Sequence, residues 1–196
     1  STDASLRKRI PWEKIHFFWG DERHVAPDHR DSNYRMAYKA MLSRVPVPPQ
    51  NIHRVPAEHP DASQSAEEYE QELRRFFKLK TGELPRFDCV LLGVGTDGHT
   101  ASLFPETKAL HERERLVVAN WVEKFRANRI TMTVPVLNNA DHVLFLASGG
   151  EKAGILKQVL EGEKDPKGLP SQLIEPTHGK LVWIVDEAAA TRLTKK

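Results

Sequence analysis

Two kinds of proton-moving side chain, the carboxylate of Asp97 and the imidazole of His99, stand two residues apart among Gly93, Gly95 and Gly98. Glycine lets backbone approach a ligand closely and reach positive φ, so this composition suits a turn wrapped around a reacting group. At that spacing the carboxylate can orient the ring or offset its charge, which is what a histidine base activating water requires. The glycines also present backbone amides of the kind that bind phosphate or stabilise an oxyanion, which makes Gly95 and Gly98 candidate substrate contacts. No Gly-x-Ser-x-Gly elbow occurs, and the single cysteine, Cys89, precedes the turn. General-base hydrolysis is therefore favoured over covalent catalysis.

Other uses of the same letters were weighed. Gly93-Val94-Gly95-Thr96-Asp97-Gly98 matches G-x-G-x-x-G, but that pattern alone is weak, and Asp97 would repel a pyrophosphate. No Gly-Lys-Ser/Thr phosphate loop is present. Asp97 and His99 could hold a stray divalent ion, yet His-Glu-x-x-His is absent and one cysteine excludes Cys-based zinc spacing. Neither a metal nor a cofactor is expected. Further polar candidates are Asp21 and Arg23 in Gly20-Asp21-Glu22-Arg23-His24, whose bland reading is a loop with local ion pairs. Lys152 follows Ser148-Gly149-Gly150 and opens a helix, where amides and dipole favour an anion. Arg129, ahead of a strand, is a further cationic candidate.

These residues need elements to hold them. Ile15–Trp19, Val90–Leu92, Leu116–Val122, Arg129–Val134, His142–Ala147 and Leu181–Val185 read as strands, and residues 51–55 as a possible short one. Helices are expected from Asn33 to Leu42 behind Asp31-Ser32, from the Ser65/Glu68 capping-box pattern to near Gly82, and from Pro135 to Ala140. Another follows residue 152 with Ile155, Leu156, Val159 and Leu160 as its buried side. Thr100–Phe104 is expected to open a short helix, and Asp186 to cap a closing one through Leu193. Ser1–Arg9 reads as a solvated segment, and Cys89 as a small core residue. Strands alternating with helices predict an α/β domain around a largely parallel sheet. In such a sheet the turns at 20–24, 93–99 and 148–152 fall along one edge and converge on one pocket.

The chain has 196 residues, 39% hydrophobic and 29% charged, which suits one domain with a real core. A net charge of +2 gives no bulk attraction to nucleic acid, while leaving room for a local cationic pocket. No apolar run reaches membrane-spanning length and no signal-peptide pattern opens the chain. A lone cysteine fits a reducing compartment, so a cytoplasmic protein is expected, with neither nucleic acid nor membrane as partner.

Three blocks then take on a further meaning: Phe17-Phe18-Trp19-Gly20-Asp21-Glu22-Arg23, Asp31-Ser32-Asn33-Tyr34, and the long stretch from Leu92 to Pro105. With Arg129-Ile130-Thr131-Met132-Thr133, Gly150-Glu151-Lys152-Ala153, Leu169-Pro170-Ser171-Gln172-Leu173 and Trp183-Ile184-Val185-Asp186, they closely resemble the 6-phosphogluconolactonases. The resemblance runs in the family's order over nearly the whole chain from Pro11. It implies a Rossmann-like three-layer α/β fold with a mainly parallel central sheet and helices on both faces. It implies metal-independent hydrolysis of 6-phospho-D-glucono-1,5-lactone, the second step of the oxidative pentose phosphate pathway. His99 would be the general base, and Arg23 and Lys152 would contact the sugar phosphate. The family's N-terminal strand and Ser-Gly-Gly-Ser/Thr loop have no counterpart, because Ser148-Gly149-Gly150 belongs to the later Gly-Glu-Lys-Ala block. Residues 1–196 are thus expected to form one N-terminally incomplete domain. The alternatives are a related amino-sugar-phosphate deaminase/isomerase and a catalytically silent sugar-phosphate-binding module.

Overall fold

The computed structural model describes residues 4–194. Its strands in chain order are β1 (Phe17–Phe18), β2 (Asp21–Arg23), β3 (Ile52–His53), β4 (Val90–Leu92), β5 (Val117–Val122), β6 (Ala127–Met132), β7 (His142–Ala147) and β8 (Lys180–Val185). Its helices are α1 (Ala4–Arg9), α2 (Asn33–Ala40), α3 (Ala62–Phe77), α4 (Val134–Asn138) and α5 (Ala153–Glu161). The opening segment is thus helical from Ala4, and its first three residues lie outside the described part.

The fold is mixed α/β, with parallel strands where crossovers carry helices. β4, β7 and β8 form a parallel sheet with β7 in the middle, and β1 lies parallel to β3. A second three-stranded sheet, ordered β2-β6-β5, is antiparallel throughout. Two-residue periodicity identifies strands but not the direction of their partners, so this division could not be read from the pattern.

The parallel sheet packs one face on the core. Val143, Phe145 and Ala147 of β7 are buried, and Phe145 stacks on Trp183 of β8 at 3.9 Å between ring centroids. Each such aromatic contributes about 1.5–3 kcal/mol through burial. The opposite face is apolar but open: Leu91 is 64% exposed, Leu146 47% and Ile184 50%. Register places Leu91 beside Leu144 and Val182, and Leu146 beside Ile184.

Local chemistry sets the helix ends. Ser32 caps α2 by accepting from the Arg35 amide at 3.1 Å. The cap of α3 is Asp61, which accepts from the Ser63 amide, not Ser65 as its capping-box pattern suggested. Ser65 is buried in the first turns and donates to the Pro56 carbonyl at 2.8 Å. α3 ends at Phe77, where Lys78 takes a left-handed conformation, short of Gly82. Its Glu70 is a buried carboxylate bound by Arg74, by Arg115 at 2.8 Å and by the Leu116 amide at 3.0 Å. Burial alone would raise Glu70, but these donors outweigh it and hold the carboxyl below its ordinary range. Glu70 therefore ties α3 to the start of β5, while Arg74 pairs with it inside the helix.

Four other expectations are corrected. Residues 100–104 form turns instead of a helix, because Ala101 takes a positive φ of 47°. After Asp186 the chain makes turns, with the Asp186 carboxylate accepting from the amides of Gly149 and Ala189. Leu160, expected on the buried side of α5, is 40% exposed. Cys89 is exposed rather than core, and partial burial and the Asp88 charge push its thiol up, away from nucleophilic reactivity.

Candidate active site

β4 runs into the glycine turn, and the turn closes on itself. The Gly95 amide donates to the His99 carbonyl at 2.8 Å, and the Gly98 amide to the Gly95 carbonyl at 3.0 Å. Thr100 Oγ1 donates to the Gly93 carbonyl at 2.8 Å. This geometry sets the His99 ring against Asp97, whose Oδ1 is hydrogen-bonded to His99 Nδ1. An ionised carboxylate only accepts, so Nδ1 carries the hydrogen and Nε2 presents its lone pair. Nε2 has no hydrogen-bond partner among the described residues, and the ring is a quarter exposed. Phe104 stacks on the imidazole, with centroids 4.1 Å apart and planes at 24°.

The other oxygen of Asp97 is also engaged. Lys124, at the tip of the β5–β6 hairpin, donates to Oδ2 at 3.0 Å. Burial would raise Asp97, but the hydrogen bonds from His99 and Lys124 prevail and hold its carboxyl at about 2. It is therefore a fixed negative charge beside the ring at neutral pH.

The glycines serve this packing. A Cβ at Gly95 would overlap the His99 ring and stand 2.7 Å from Asp97 Oδ1. Gly98 has φ +79°, and a Cβ there would meet Leu169 Cδ2 at 2.8 Å. The Gly98 carbonyl accepts from the Ser171 amide at 2.9 Å and from Ser171 Oγ at 2.8 Å, so a distant loop pins the turn. The amides of Gly95 and Gly98, expected as oxyanion donors, are committed inside the turn. Their contribution is space and backbone shape.

A cationic surface flanks this centre. β2 and β6 pair so that Arg23 lies directly across from Arg129. Arg23 donates to the Asp31 carbonyl at 2.7 Å, and the Arg129 guanidinium lies 5.1 Å from the Phe125 ring centroid. Neither forms an ion pair with a carboxylate among the described residues. Burial and the neighbouring Arg23 charge lower Arg129, against the pull of Asp21, Asp31 and Glu22. Two adjacent guanidiniums without a direct carboxylate partner suit an anion with several oxygens. Asp21 joins this surface to the glycine turn by accepting from Ser102 Oγ at 2.6 Å. Burial pushes the Asp21 carboxyl up, while Ser102, Arg23, His99 and Arg129 pull it back.

Glu22, between these residues, has a structural task. It is buried and accepts from the amides of Arg23, Asn33 and Tyr34 at 2.7–2.8 Å, and from Ser32 Oγ at 3.1 Å. A carboxylate on the first amides of α2 is favoured by the helix dipole. It fixes Arg23 relative to that helix.

The three turns expected to converge belong to different sheets. The turns at 93–99 and 148–152 follow neighbouring parallel strands, β4 and β7. The turn at 20–24 belongs to the antiparallel sheet and is joined through Asp21 and Ser102. Lys152 lies in the short 3-10 turn that leads into α5, with no ion-pair partner among the described residues. α5 reaches the glycine turn through Ile155, 3.5 Å from where a Gly98 Cβ would stand. Lys152 itself makes no contact with Asp97, His99 or the arginines.

Sequence reasoning missed Lys124, Phe125 and the tasks of Phe104, Ser102 and Ser171. The last three lie in motifs that were noticed, but their partners are far along the chain. Lys124-Phe125 lies between two strands, where only the hairpin's closure reveals what it faces.

The family model described as glucosamine-6-phosphate isomerases/6-phosphogluconolactonase matches residues 1–183. A 6-phosphogluconolactonase of Synechocystis sp. is 46% identical over 191 residues, covering 97% of this chain and 78% of that protein. The crystal structure of a protein called devB superposes with a TM-score of 0.88 at 36% identity, covering 97% of this chain and 79% of that one. The 6-phosphogluconolactonase from Trypanosoma cruzi superposes with a TM-score of 0.80 at 32% identity, covering 91% and 73%. Matched by this family model over residues 1–183 and 46% identical to a relative that it covers to 78%, the chain belongs to the glucosamine-6-phosphate isomerase/6-phosphogluconolactonase family.

Proposed function

We propose that this chain hydrolyses 6-phospho-D-glucono-1,5-lactone to 6-phospho-D-gluconate, in the oxidative pentose phosphate pathway. The observation that carries the reading is the setting of His99: Nδ1 tied to a fixed carboxylate, Nε2 unpartnered among the described residues, near two adjacent guanidiniums. The names of its relatives agree with it. His99 Nε2 takes a proton from water as the oxygen attacks the lactone carbonyl carbon. The carbonyl π pair moves to oxygen, and Asp97 offsets the imidazolium charge. Collapse of the tetrahedral intermediate breaks the bond to the ring oxygen, which receives the proton from His99. The donors left for the oxyanion in the turn are the amides of Thr96 and Asp97, since those of Gly95 and Gly98 are occupied. Arg23 and Arg129, paired by strand register beside Asp21, hold the phosphate. Residues 1–196 act as one domain, and we place it in the cytoplasm, where a lone exposed thiol stays reduced.

The test is a pH-stat assay on freshly generated lactone, corrected for spontaneous opening. His99→Asn should lower kcat by about 10²–10⁴-fold, the usual cost of losing a general base. An unchanged kcat in that variant overturns the assignment. Ammonia release from glucosamine 6-phosphate, without lactone hydrolysis, would replace the reading with the deaminase/isomerase one. Binding of 6-phosphogluconate without turnover would leave a sensor.

A further inference from the structure

The β5–β6 hairpin closes through a short 3-10 turn at Glu123–Phe125, followed by Arg126 in a left-handed conformation. Its tip is folded against the catalytic pair. Phe125 packs edge-on to Phe104, the ring that stacks on His99, at 5.5 Å and 77°. On its other side Phe125 meets the Arg129 guanidinium. Glu123, the carboxylate nearest Lys124 in sequence, accepts from Trp121 Nε1 at 2.7 Å. Lys124 pairs with Asp97, its one ion-pair partner among the described residues, and its Nζ lies 5.5 Å from the Phe125 ring centroid.

The Lys124 side chain is 59% exposed. An ion pair this open contributes little to stability, so folding alone does not account for it. Its position does have a consequence for the reaction. Asp97 faces His99 with one oxygen and Lys124 with the other, so whatever the ammonium does to the carboxylate is felt by the ring.

We propose that Lys124 is a positioning residue: bound to the outward oxygen of Asp97, it offsets part of the carboxylate charge that faces His99. This rests on the lactonase reading above. Asp97 attracts the positive charge that the His99 ring acquires when it takes a proton. A cation on the far oxygen moderates that pull and leaves enough of it to stabilise the imidazolium once formed. The hydrogen bond from the His99 amide to Asp97 Oδ1, at 3.3 Å, keeps the carboxylate in place if Lys124 is lost. The charge effect can therefore be read without collapse of the geometry. The other charged groups around the pair are Asp21 behind Ser102, with Arg23 and Arg129 beyond it, and Glu106, Lys108 and Glu123 along the groove on the Asp97 side.

The experiment compares wild type, Lys124→Met and Lys124→Arg by pH profiles of kcat and KM and by carbon NMR titration of the Asp97 carboxyl. In Lys124→Met the acid limb of kcat/KM should move up by about half a pH unit or more, the scale expected for one nearby charge in a partly screened site. The Asp97 carboxyl should titrate higher by a similar amount, and kcat/KM near neutrality should fall about 3–10-fold. Lys124→Arg should keep both titrations near wild type. An acid limb and an Asp97 titration unmoved by Lys124→Met overturn the proposal. So does a rise in KM alone, which would make Lys124 a substrate contact. If wild type fails to hydrolyse the lactone, the functional reading falls, and the Asp97 titration still decides the place of Lys124.

Discussion

Asp97 serves two cations with two oxygens, and that gives it a measurable part in stability. Its carboxyl is held at about 2 in the folded chain against an ordinary value of 3.8. A depressed folded value means stability that is complete above pH 4 and lost as pH falls towards 2. Between pH 5 and pH 3, urea unfolding of wild type should lose about 1 kcal/mol more than Asp97→Asn does. Equal losses would show that the carboxylate is not held as the geometry requires. At this scale the sequence was most legible for His99 and Asp97, because residues two apart in a glycine-rich turn can hardly avoid each other. Lys124 was illegible for the opposite reason: it stands 27 positions after Asp97, and only the closure of the β5–β6 hairpin brings it back. The arginines fall between these cases. Their charge was visible, but their adjacency depends on antiparallel register.

At the scale of elements, buried carboxylates do more than the residue types suggest. Glu22 joins β2 to α2, and Glu70 joins α3 to β5. In Glu22→Gln one side-chain oxygen becomes an NH2 group facing amide donors that need an acceptor. The loss should be about 2–3 kcal/mol, seen as a lower Tm, since a charged acceptor is replaced by a mismatched neutral one. An unchanged Tm would mean that α2 does not depend on this cap. The strands β5 to β8 were readable from alternation and length, and α2 from its Ser32 cap. The misreadings have local causes. The Ser65/Glu68 letters were overridden by Asp61, one turn upstream and better placed to cap. The helix expected at 100–104 is prevented by the positive φ at Ala101, a conformation that no residue letter announces for alanine.

Across the whole molecule, the division into a parallel and an antiparallel sheet decides how the site is assembled. The proton-transfer pair hangs from the parallel sheet, and the paired arginines and Lys124 come from the antiparallel one. Ser102 and the hairpin tip are the links between them. The general α/β class was legible because strands and helices alternate, but partner choice is a long-range property that pattern does not encode. The open face of the parallel sheet is the other molecular feature, since Leu91, Leu146 and Ile184 stand together in water. Contiguous exposed apolar side chains bind hydrophobic dyes and other apolar surfaces. Leu146→Thr with Ile184→Thr should cut anilinonaphthalene sulfonate fluorescence at least about twofold while sparing lactone hydrolysis. Undiminished dye binding would place the apolar surface elsewhere.

The imidazole resting where a Gly95 side chain would begin has a consequence for how this protein can vary. Every single substitution at that codon to another amino acid adds an atom that overlaps the His99 ring. Gly98, with its positive φ and Leu169 against it, is closed off in the same way. At these two positions the turn therefore has no neighbouring solutions one step away. Drift, or an engineer retuning the reaction, has its freedom at the rim instead, on the half-exposed hairpin tip, where a changed side chain alters the field at the base without displacing it.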